Sequence, residues 1–225
     1  MRPWLRRSAG VADRQQPTIS VLAGVNGAGK SSILGSLIEE SSATYVNPDL
    51  RTNELRKADP DLSLEQANSK AWMEGLRLLE QAIHNRQSYI FETTLGGHTI
   101  TECLREAMTV MPVRIFYVGL TDPELHIKRV RARVRAGGHD IPDNKILERY
   151  SSSRANLITL IPGLSELRVY DNSAEGDPNL GGRPNPRLLL EMHAGKIVEA
   201  VSWNSAPDWV RPILAGARIA GGSYS

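Results

Sequence analysis

A chain of 225 residues with 40% hydrophobic and 23% charged side chains has the composition of a soluble globular protein and the length of one large domain. A net charge of +2 excludes nucleic-acid binding driven by bulk electrostatics, and no run is long and apolar enough to span a bilayer. The single cysteine, Cys103, excludes an internal disulfide and fits a reducing, cytoplasmic setting, where a small buried helix residue is expected.

Residues 1–17 carry Arg2, Arg6 and Arg7 but no signal-peptide core, and are expected as a disordered arm. A single domain is expected over 18–215. Ile19-Ser20-Val21-Leu22-Ala23 reads as a buried strand. It runs into Gly24-Val25-Asn26-Gly27-Ala28-Gly29-Lys30-Ser31, a GxxxxGK run ending in Ser. Glycines allow backbone N–H groups to crowd around phosphates, Lys30 reaches the β- and γ-phosphates, and the Ser31 hydroxyl ligates Mg²⁺. Ile33, Leu34, Leu37 and Ile38 give the stripe of a following helix, whose N-terminus faces the anion. Gly24, Asn26, Gly27, Ala28, Gly29, Lys30, Ser31 and Ser32 are therefore the expected nucleotide-binding residues.

Beyond this loop, apolar strand-like runs alternate with helical patterns, which predicts an α/β fold with a mostly parallel five-stranded sheet. Ala43-Thr44-Tyr45-Val46-Asn47 forms the second strand and Pro48 stops it. Trp72, Leu76, Leu79 and Ile83 mark the buried stripe of a helix over about 63–84. Ser88-Tyr89-Ile90-Phe91-Glu92 is the third strand, Ile100, Leu104 and Met108 lie on the next helix, and Val113–Val118 is the fourth strand. A capping box at Thr121-Asp122-Pro123-Glu124 opens an arginine-rich helix that ends at Gly137-Gly138. Another helix runs from Pro142 to about Leu160, and Leu167–Tyr170 is the fifth strand. A Gly- and Pro-rich loop over 174–186 precedes a small hairpin at about 187–201, with Trp203 and Trp209 as packing residues. Residues 216–225 are expected as a flexible tail.

Ligands of an open parallel sheet sit at the carboxyl ends of its strands. There the second strand delivers Asp49 and Arg51, and the third delivers Glu92, Thr93 and Thr94, all candidates for holding an acceptor. Asp49 is the candidate general base, because a hydroxyl attacking a γ-phosphate needs a carboxylate within hydrogen-bond reach. Arg129 and Arg133, four apart on one helix face, form a lid over about 123–150 that can stabilise charge on the moving phosphoryl group, with Arg149 able to join them. His98 and His139 have no partner at zinc-site spacing.

The blocks GVNGAGKS (24–31), YVNPD (45–49), FETTLGG (91–97), RVRARVRAGGHDIP (129–142) and VYDNS (169–173) occur in the order of the zeta-toxin-like P-loop kinases, and the chain resembles that family. The resemblance implies a P-loop NTPase-type three-layer fold similar to nucleotide and shikimate kinases. It also implies transfer of a γ-phosphate from ATP or GTP, with Mg²⁺, to the 3′-hydroxyl of the amino sugar in UDP-N-acetylglucosamine. Lys30 looks like the phosphate-loop lysine and Asp49 like the base. Glu92 looks like the acidic acceptor-binding residue, while Arg129 and Arg133 fall among the lid arginines. Asp171 and Asn172 resemble the block near the nucleotide base. A separate antitoxin is an implied partner; nucleic acid and membrane are not. One departure bears on the acceptor: Tyr150–Leu157 lacks an arginine that relatives place near Ser152. Another acceptor, or a nucleotide-dependent regulatory ATPase without kinase activity, remains the alternative.

Overall fold

The computed structural model describes residues 16–30, 33, 44–138, 140–174 and 185–222. Ser31, Ser32, residues 34–43, where a helix is expected after the phosphate loop, His139, residues 1–15 of the expected arm, the glycine-rich 175–184 and the final 223–225 lie outside them.

The strands are β1 (Ile19–Ala23), β2 (Thr44–Val46), β3 (Tyr89–Thr93), β4 (Val113–Gly119), β5 (Glu166–Asp171), β6 (Arg187–His193) and β7 (Lys196–Ala200). They form one seven-stranded sheet in the order β2-β3-β1-β4-β5-β6-β7. The first five positions are parallel, as the alternating pattern predicts. The expected hairpin is not an appendage. β6 pairs antiparallel with β5 and β7 with β6, because Leu189, Leu190 and Met192 of β6 are buried in the main core. The five-strand expectation therefore becomes seven.

The helices are α1 (Pro48–Ala58), α2 (Leu64–His84), α3 (His98–Val110), α4 (Pro123–Arg135), α5 (Asp143–Leu160) and α6 (Arg211–Ala220). α1 was not anticipated. Thr52 is its only buried residue, so no apolar stripe announces it. It is set instead by its start: Asn47 caps it, accepting from the backbone N–H groups of Asp49 and Leu50, and Pro48 occupies the first turn. In α2, Ser63 and Gln66 form a reciprocal capping box. Its buried residues are Ala67, Ala71, Leu79 and Ala82; Leu79 belongs to the expected stripe and Ile83 packs against the core, but Trp72 is 45% exposed. α6 also departs from expectation. Residues 216–220, expected to be flexible, complete a helix because Ile213, Leu214 and Ala217 bury themselves in the core.

Both faces of the sheet are covered. Ile19, Val21 and Ala23 of β1 face a large core with Leu104, Leu157 and Trp209, whereas Leu22 joins Phe116, Val118, Ala28 and Ile33 on the other side. A third cluster matters for the site. Val25, from the phosphate loop, packs with Ile127 and Val130 of α4, with Ile141 just ahead of α5 and with Ile146 of α5. The arginine-bearing lid is thus anchored at its base on the loop. The far half of α5 belongs to the main core through Leu157 and Leu160.

Candidate active site

β1 ends inside the sheet, flanked by β3 and β4, so the loop after it emerges at the centre of the crevice. Its backbone requires glycine at two points. A Cβ on Gly24 would lie 2.2 Å from the Val118 carbonyl oxygen, and one on Gly27 would lie 2.6 Å from that of His126. Gly27 and Gly29 have φ of +82° and +80°, the alternating left-handed pattern of an anion-binding nest. The Lys30 ammonium is buried. It donates to the Gly24 carbonyl at 2.7 Å and lies 3.4 Å from Glu92 Oε1.

Glu92, at the end of β3, is the hub of the neighbouring strand ends. Its Oε2 accepts from Asn47 Nδ2 at 2.9 Å and from the Tyr45 hydroxyl at 3.1 Å. Burial, reinforced by the Glu92 charge, pushes the Tyr45 phenol well above its ordinary range, so the hydroxyl keeps its proton and acts as donor. Asn47 faces both ways, because its Oδ1 accepts from the Asp49 N–H at 2.8 Å. The first turn of α1, and Asp49 with it, is thereby fixed relative to Glu92 and Lys30.

Across the crevice, Arg133 of α4 reaches Asp49 Oδ2 at 3.6 Å, which brings the expected lid arginine to the expected base. Arg149 of α5 donates to Asn26 Oδ1 at 2.8 Å and so touches the phosphate loop directly. Arg129 is half-buried on α4 and does not line the cavity. Arg51 points elsewhere: it pairs with Glu74 at 2.8 Å and Glu54 at 3.0 Å, on the α2 side of α1. Its expected role in holding an acceptor has no support in this arrangement.

Between these elements lies a cavity of about 560 Å³, in the range that encloses small organic ligands. Asn26, Lys30, Asp49, Glu92, Thr93 and Thr94 line one end. Thr93 Oγ1 accepts from the Leu95 N–H, and neither threonine caps α3, whose cap is Gly97. The other end runs along α1 and α2 past Thr52, Asn68, Trp72 and Leu76. Trp72, read from its spacing as a core residue, is a wall of this cavity.

Asp171 and Asn172, which the resemblance sets near the nucleotide base, stand at the end of β5 and are held by bonds within the protein. Asp171 accepts from the Ser173 N–H and from Trp209 Nε1, while Asn172 is buried and donates to the Ala28 carbonyl at 2.8 Å. His126, which the sequence reading passed over, is 1% exposed, with Nδ1 2.9 Å from the Asn26 carbonyl oxygen. Burial lowers its pKa to about 4, helped by the charges of Lys30, Arg129 and Arg154 and opposed by the bond to Asn26. The signal was its place on the buried side of α4, four residues before Val130.

A family model, zeta toxin, matches residues 2–175. The chain belongs to the zeta toxin family. Its fold agrees with that placement. It superposes on the AvrRxo1-ORF1:-ORF2 complex with a TM-score of 0.65 at 17% identity, covering 95% of this chain and 77% of that one. For the same complex with ATP the TM-score is 0.62 at 16% identity over 90% of this chain; the match spans 64% of the other, less than two thirds of its length. The PezAT chromosomal toxin–antitoxin system of Streptococcus pneumoniae gives 0.54 at 16% identity, covering 70% of this chain and 68% of that one. An uncharacterized protein of Haemophilus influenzae is 29% identical over 128 residues, 56% of this chain and 88% of that protein. Membership of the zeta toxin family, a family of P-loop kinases, implies nucleotide binding. No helix among the described residues is long and apolar enough to cross a membrane.

Proposed function

We propose that this zeta toxin family member is a small-molecule kinase that moves the γ-phosphate of ATP or GTP onto a hydroxyl, with Asp49 as the general base. One observation carries the reading: Asp49 and the buried Lys30 line the same cavity, and the lid residue Arg133 lies against Asp49. The acceptor oxygen attacks the γ-phosphorus while its proton passes to the Asp49 carboxylate. The bond from that phosphorus to the β–γ bridging oxygen breaks, and the nucleoside diphosphate leaves. Asp49 then returns its proton to water. Lys30 meets the charge on the transferring group from below, and Arg133, freed from Asp49 as the acceptor enters, meets it from above. Magnesium, when bound with the nucleotide, neutralises charge on the β- and γ-phosphates; its ligand in this motif is Ser31.

The acceptor we assign is the 3′-hydroxyl of UDP-N-acetylglucosamine. The cavity supports an acceptor of that kind because its lining extends beyond Asp49 to Thr52, Asn68, Trp72 and Leu76, with Lys145 and Glu148 of α5 also on its wall. Two of the similar folds are complexes with a partner, AvrRxo1-ORF2 and the PezAT antitoxin. The same reading gives this chain a separate antitoxin and a place in the cytoplasm. Asp49→Ala tests the base. Transfer should fall by roughly 10²- to 10⁴-fold in a mass-spectrometric assay of the phosphorylated acceptor, with affinity for a non-hydrolysable ATP analogue within about threefold. Unchanged transfer removes Asp49 from the mechanism. Phosphorylation of a different metabolite from a cell extract replaces the acceptor but keeps the chemistry.

A further inference from the structure

We infer that His126 is a positioning residue of the phosphate loop, holding the loop in its anion-ready shape and tying it to the lid. This inference rests on the nucleotide-binding reading of the loop. The observation behind it is a pattern of alternate carbonyls. The Gly24 oxygen takes the Lys30 ammonium at 2.7 Å, the Asn26 oxygen takes His126 Nδ1 at 2.9 Å, and the Ala28 oxygen takes Asn172 Nδ2 at 2.8 Å. In a nest, carbonyls that swung toward the ligand would present negative dipole ends to an anion. Here every second carbonyl from Gly24 to Ala28 is engaged by a side-chain donor.

Among the three donors, His126 alone stands on the lid. It lies in the second turn of α4, three and seven residues before Arg129 and Arg133. Its backbone is as close as its ring, since the space a Gly27 Cβ would need is filled by the His126 carbonyl. The side chain of the same loop residue, Asn26, is taken by Arg149 of α5. Both lid helices therefore grip Asn26, one by its backbone and one by its side chain, and Val25 packs between them. A carbonyl oxygen only accepts, so Nδ1 carries the proton. Burial keeps the ring neutral, and Tyr150 packs edge-on against it, with ring centroids 5.6 Å apart. A neutral donor suits the place, because an added positive charge here would sit among Lys30, Arg129 and Arg154.

The test compares His126→Asn, His126→Gln and His126→Leu in the full chain. It measures binding of the ATP analogue AMP-PNP with magnesium by calorimetry, with GMP-PNP in parallel, at temperatures where each variant is folded by circular dichroism. The Asn amide nitrogen occupies the place of Nδ1, whereas that of Gln lies one carbon further out. An unsatisfied buried carbonyl costs enough to weaken nucleotide binding by about tenfold or more. His126→Leu and His126→Gln should show that loss, and His126→Asn should stay within about threefold of wild type. A merely structural histidine would lower the melting temperature of all three and leave the affinity of the folded protein alone. The inference is overturned if His126→Gln binds as wild type does, or if His126→Asn binds no better than His126→Gln; this comparison stands even where His126→Leu does not fold. Wild-type protein that binds neither analogue sinks the nucleotide reading itself, a result distinct from equal binding by all variants.

Discussion

Glu92 occupies the position where a charge balance is struck without nucleotide. One carboxylate oxygen faces the Lys30 ammonium and the other gathers Tyr45 and Asn47. An incoming triphosphate competes with this carboxylate for Lys30 and is repelled by it. Glu92→Gln removes the repulsion while an amide oxygen still accepts from Asn47. Affinity for the ATP analogue should rise, by about 1 kcal/mol or roughly fivefold, read by the same calorimetry. Phosphoryl transfer should fall in that variant, because the carboxylate that would hold the acceptor's hydroxyl is gone. Tighter nucleotide binding with undiminished transfer would limit Glu92 to balancing Lys30. The exposed Asp49–Arg133 pair is a different case: both side chains are more than a third exposed, so it contributes little to stability and opens at little cost.

At the scale of elements, the parts that could be read from the sequence are those whose signal is local. β1 and the phosphate loop were legible from a hydrophobic run meeting glycines, the positions of Asp49 and Glu92 from the strand ends, and α4 from Pro123 in its first turn, although Asp122 alone caps it in place of the expected capping box from Thr121 to Glu124. Partners were not legible. β6 looks like half of an isolated hairpin until β5 is beside it, and nothing local pairs the Asn172 amide with the Ala28 carbonyl. α2 shows how a periodic pattern misleads. Trp72, Leu76, Leu79 and Ile83 share a spacing, and Leu79 and Ile83 do pack, but nearer the start of the helix the packed residues are Ala67 and Ala71, small side chains that let α2 approach its neighbours closely. Trp72 is left beside the cavity instead. That placement makes an element-level prediction. Trp72→Ala should raise the KM for a ring-bearing acceptor by roughly tenfold, the scale of a lost stacking contact, and leave ATP-analogue affinity unchanged. An acceptor KM equal to wild type would mean that the acceptor stops short of α2.

For the whole molecule, the question is whether the C-terminal hairpin and α6 form a separate unit beside the nucleotide-binding part. The packing says they do not. Trp209, between β7 and α6, is 3% exposed; its ring fills the space over Gly119, where a Cβ would come within 2.3 Å of it, and lies 6.3 Å from that of Tyr117. Its indole N–H reaches Asp171, the neighbour of the Asn172 that holds the phosphate loop. The core under the loop is therefore completed by residues near the far end of the described chain, and the chain should unfold as one cooperative unit. Urea denaturation followed by far-ultraviolet circular dichroism and by tryptophan fluorescence should give coincident transitions; two separated transitions would divide the molecule. Trp209→Ala, followed by circular dichroism, should lose about 3–5 kcal/mol, the cost of emptying a large aromatic site. Trp209→Phe should lose less, because it keeps part of the ring packing while giving up the outer indole atoms over Gly119 and the bond to Asp171. If Trp209→Ala were instead neutral, the hairpin and α6 would be a covering layer, and the support they give Asn172 would have to come from β5 alone.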